Sequence, residues 1–64
     1  MTQVKKMRRI NDYTQEFVAS KLGVTQTIYS QKENGKVKFS VVEALKLAEL
    51  YDTSVEELFK DVNR

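Results

Sequence analysis

The chain contains no cysteine, no histidine and no proline, and only two glycines among 64 residues. Without cysteine there is no disulfide staple and no argument for an oxidising compartment. Without histidine or cysteine, a zinc site of the Cys/His type is excluded. There is no internal repeat and no low-complexity segment. No apolar run approaches the roughly 18 residues that a membrane span needs. Lys5, Lys6, Arg8 and Arg9 are followed by no apolar stretch, so the N-terminus does not read as a signal peptide. The expectation is one small, soluble, cytoplasmic domain. A core of this size is marginal and depends on good helix packing.

Catalysis is also poorly served. There is no glycine-rich phosphate loop and little room for a preorganised pocket. The pair Glu56–Glu57 reads as helix N-terminal charge favoured by the macrodipole. We expect no enzyme, no metal and no cofactor.

What is present is uneven charge. The net charge is only +2, but residues 1–38 hold eight bases against three acids, and residues 39–64 hold three bases against six acids. A front half at +5 and a back half at −3 suggest that the front meets a polyanion.

The apolar pattern is helical throughout. Val4, Met7 and Arg8 share one face of a first helix. Asn11 and Asp12 favour a turn. Thr14 is a good N-cap for a second helix over 15–22, with Val18, Ala19 and Leu22 inward. Gly23 can end it in the left-handed conformation. Thr25 caps a third helix over 26–34, which Gly35 ends. The run "KVKF" at 36–39 is a basic connector. Ser40 with Glu43 forms a capping box for a long fourth helix to about Tyr51, with Val41, Ala44, Leu45, Leu47 and Ala48 expected inward. Ser54 with Glu57 caps a last helix over Val55, Leu58, Phe59 and as far as Val62. No segment alternates apolar and polar residues for long, so strands are not expected. The fold class is all-α: five short helices with tight connections in a compact bundle.

Helices two and three are joined only by Gly23, Val24 and Thr25, the layout of a helix-turn-helix spanning about 14–34. On a helical wheel, Gln26, Ser30, Asn34, Thr27 and Gln31 fall at about 0, 40, 80, 100 and 140°. They form an unbroken arc of amides and hydroxyls. Ile28, Lys32, Tyr29 and Glu33 fall at about 200, 240, 300 and 340°, and this face is expected to anchor the helix. A merely solvated face usually carries Lys and Glu. Gln, Asn, Ser and Thr are average to poor helix formers. Their advantage is directional bonding to base edges in a major groove.

The segment "YTQEFVASKLGVTQTIYSQKENGKVKFS", continued by "EALKLAELYDTSVEELF", resembles the XRE family of Cro/repressor-type helix-turn-helix domains. The likeness runs from about Val4 to Phe59, through "TQE", "LGV", "ENGK" and "SVEELF". It implies a lambda-repressor-like five-helix DNA-binding domain, a double-stranded DNA partner and frequent dimers. Carried over residue by residue, Gln15 would bond a phosphate at a helix N-terminus. Gln26, Thr27 and Gln31, with Ser30 beside them on the arc, would read bases. Asn34, Lys36 and Lys38 would hold the DNA backbone. Arg8 and Glu33 would form a largely buried structural salt bridge. Four residues depart from the family pattern: Tyr29, Lys32, Phe17 and Phe39. Tyr29 must fit a larger ring into the core, its hydroxyl needing a partner or a route to the surface. Lys32 would lie along the core with its ammonium in solvent.

Phe17, Val42 and Leu50 are expected to be partly exposed, which is ordinary for single residues. Thr53, Val55, Leu58, Phe59 and Val62 exceed what a peripheral helix needs and form the expected dimer contact. The reading is therefore a sequence-specific transcriptional regulator, a repressor binding a palindromic operator as a homodimer. With no effector domain evident, its level would set its action. The alternative is a protein-interaction module or antitoxin-like adaptor whose DNA binding is secondary.

Overall fold

The computed structural model describes residues 3–60. In chain order these form α1 (Gln3–Ile10), α2 (Gln15–Leu22), α3 (Gln26–Glu33), α4 (Val41–Leu50) and α5 (Val55–Leu58). There is no strand among the described residues. No helix among them is long and apolar enough to cross a membrane.

The helices begin and end by repeated local devices. Thr14, Thr25, Ser40 and Ser54 each accept a hydrogen bond from the N–H three residues on, satisfying a donor the helix cannot. At Ser40 the box is complete, because Glu43 also accepts from the Ser40 N–H at 2.9 Å. Four helices end in the same Schellman pattern, with a left-handed residue and crossed bonds behind it. Gly23 and Gly35 hold that position after α2 and α3. Asp12 and Asp52 hold it after α1 and α4, at φ 57° and 52°. Short polar residues are the ones that tolerate this region without being glycine.

The core is built from Val4, Val18, Ala19, Leu22, Tyr29, Leu47, Ala48, Tyr51 and Leu58. Here α2 packs on α3 and α4, and α5 closes the bundle against α4 and α1. Phe39 of the connector bridges the Tyr29 and Phe59 rings at centroid distances of 6.1 and 5.7 Å. Residues before helix α4 thus join the core by an aromatic chain rather than by a turn residue.

Several inward positions differ from the sequence expectation. On α4 the buried stripe is Glu43, Ala44, Leu47 and Ala48, while Val41 and Leu45 are 77% and 57% exposed. The apolar surface of α4 is wider than one four-residue α5 can cover, so its flank is left open. On α3, Tyr29 and Glu33 are buried and Ile28 faces outward. The core lies near the Tyr29 and Glu33 directions, and Ile28 stands roughly 100° or more away. Leu58 is fully buried and cannot serve as a dimer contact. Val62 lies outside the described residues.

Candidate nucleic-acid interface

The turn between α2 and α3 sets the interface. Gly23 at φ 76° directs Val24 back towards the core, where it packs half-buried. Thr25 then starts α3 at once, accepting from the Ile28 N–H at 3.2 Å. This presents the polar arc outward. Gln26, Thr27, Gln31 and Asn34 are exposed. Ser30 is half-buried, with Asn34 Nδ2 3.5 Å from its hydroxyl, so it is the least available member of the arc. Gln15 stands in the first turn of α2, half-buried. Lys36 and Lys38 are exposed on the connector directly after the Gly35 turn. The neutral arc and these two cations therefore occupy consecutive stretches of chain.

Two ion pairs hold α3 from behind. The Arg8 Nε and Nη2 donate to the two Glu33 oxygens at 3.0 Å each, a fork that matches the carboxylate. The Arg8 Nη1 donates to the Tyr13 carbonyl at 2.9 Å, so all the bonds tie α1, the α1–α2 turn and α3 together. Exposure of the two side chains is 13% for Arg8 and 0% for Glu33. The hydrogen bond to Glu33 raises the Arg8 guanidinium further above its already high ordinary value. Tyr29 and Tyr51 hydroxyls lie buried near this pair without a protein hydrogen-bond partner. Burial, then the neighbouring Glu33 charge, pushes the Tyr29 phenol well up. Burial pushes Tyr51 up to about 12.

The second pair was not legible in the sequence. Lys32 Nζ donates to both Glu43 oxygens at 2.5 and 2.7 Å, with side chains only 12% and 11% exposed. The Lys32 ammonium is thus not in open solvent as expected; it neutralises the carboxylate of the α4 capping box. Burial alone would raise the Glu43 carboxyl, but hydrogen bonds from Lys32 and Ser40 outweigh it and hold it below the usual carboxylate range. A base on an inward face is a signal that an acid must face it, but sequence spacing does not say which.

Beside this latch runs an open apolar groove of about 610 Å³. Val37, Phe39, Val41, Leu45, Val55 and Phe59 line it, with Lys32 at its edge.

A family described as "Helix-turn-helix" matches residues 4–58. The chain belongs to the XRE-type helix-turn-helix family. "Control protein C.MunI" of Mycoplasma sp is 33% identical over 63 residues, covering 97% of this chain and 85% of that protein. No solved structure matches. As an XRE-type protein the chain is a DNA-binding transcriptional regulator. The all-α fold and the helix-turn-helix expected from the sequence agree with this assignment.

Proposed function

We propose that this XRE-type protein is a sequence-specific repressor in the cytoplasm that binds a palindromic operator as a homodimer. The carrying observation is the exposed arc of Gln26, Thr27 and Gln31 on α3. Bidentate amides pair well with adenine edges, and threonine reaches a base or a thymine methyl. Ser30 contributes at the margin of that arc. Gln15, Asn34, Lys36 and Lys38 supply phosphate contacts, which position the domain without reading sequence. The protein acts by binding rather than by catalysis.

The groove supports a second copy as the dimer partner. Val37, Val41 and Leu45 join Val55 and Phe59 in one apolar region next to the C-terminal end of α3. Two-fold pairing there brings two reading helices towards one face, the arrangement paired half-sites require. Salt dependence follows from the basic connector. The name of the relative, a control protein, agrees with a regulatory role.

Selection of bound sites from random duplex DNA tests this reading. The expected product is a palindrome with half-sites about one helical turn apart. Absence of any enriched sequence at physiological salt overturns it. A protein that enriches sites only with a second protein present would instead be an adaptor.

A further inference from the structure

We propose that Ile28 is a specificity-determining residue that docks on the 5-methyl group of a thymine in each half-site. The inference rests on the proposed reading of α3 and names one base feature it recognises.

Ile28 is 42% exposed on a helix whose other exposed residues in the first two turns are Gln26, Thr27 and Gln31. Its N–H is held by the Thr25 cap, so it is the third residue of the helix. The first turns of a recognition helix are those that reach base edges. On the wheel Ile28 stands about 60° beyond Gln31, at the border of the neutral arc.

Of the other exposed apolar side chains, three belong to the groove and one to an aromatic cluster. Val37, Val41 and Leu45 line the groove. Phe17 packs on the Tyr13 ring at 4.7 Å and lies under the Lys21 ammonium at 5.3 Å. Ile28 is neither among the groove residues nor among those packed on the core. Isoleucine is also a mediocre helix former, so its place is not explained by α3 stability. Its branched side chain holds essentially one rotamer in a helix, which makes it a rigid apolar probe. The major-groove edges of bases present one apolar group, the thymine methyl.

The test replaces each thymine of the selected half-site by deoxyuridine, which removes only that methyl. Wild-type protein should lose about fourfold in affinity at one position, the effect of one buried methyl group. Ile28→Ser should show no loss at that position, while Ile28→Val should keep it, with circular dichroism confirming that both variants are folded. Identical deoxyuridine profiles for wild type and Ile28→Ser overturn the inference but leave the repressor reading standing. If wild type selects no operator at all, both fall.

Discussion

Arg8 and Glu33 provide the sharpest test of how α3 is held. Glu33 is completely enclosed, and Arg8 is its partner through two charge-assisted bonds. Arg8→Met keeps most of the side-chain bulk but strands the carboxylate. Removing one member of a buried pair costs about 3–5 kcal/mol. Losing the bond to the Tyr13 carbonyl adds about 0.5–1.5 kcal/mol. A domain of 64 residues has a total stability of roughly 3–10 kcal/mol. The variant should therefore be close to unfolded at room temperature, and its urea midpoint should fall by several molar at a slope of about 1 kcal/mol/M. The double variant Arg8→Met/Glu33→Met should recover most of the stability, because an apolar pair of similar volume avoids the desolvation cost. A single variant costing under about 1 kcal/mol, the range of an exposed pair, would refute the reasoning. So would a double variant no more stable than the single one.

Lys38→Ala should weaken binding to all DNA sequences alike and reduce the salt slope by about one, whereas Gln31→Ala should cost about 1–3 kcal/mol at one base pair; indistinguishable effects on a panel of point-mutated operators would contradict the division of roles. Leu45→Glu places a charge in the groove and should leave a folded monomer with weakened operator binding, seen by sedimentation; an unchanged dimer would place the interface elsewhere. Asp52→Gly relieves a left-handed residue without removing a cap, and should raise stability by up to about 1 kcal/mol in thermal unfolding. Tyr51, pushed up by burial to about 12 when folded, ionises near 10 when unfolded, so its contribution is complete below pH 10 and is lost as pH rises towards 12. Phenolate absorbance should therefore rise together with loss of helix; ionisation of the buried tyrosines with the helices intact would argue against their burial.

The local layer of this protein is legible in its residues. Caps at Thr14, Thr25, Ser40 and Ser54, and glycine stops at 23 and 35, act over three or four residues, so spacing alone reveals them. The all-α class and the helix-turn-helix follow from those marks and the apolar period. The outward arc of α3 is legible for the same reason: a helix has a fixed rotation per residue, and five directional side chains share one side.

Which apolar residues end up covered is a different kind of property. It depends on how much surface the neighbouring helices supply, and that is set only when all of them are packed. Val41 and Leu45 carry the correct period yet lie outside, because the short α5 leaves that flank of α4 uncovered. Leu58 carries the same period and is buried between elements. Ile28 and Tyr29 are adjacent in sequence, but only the packing direction of α3 separates an exposed side chain from a core ring. The Lys32–Glu43 contact joins residues eleven positions apart on different helices, and no local rule pairs them. Sequence alone determined where helices start, stop and turn, because those forces are short-ranged. Only tertiary structure decided which charges meet and which apolar faces remain open, because burial is shared among elements.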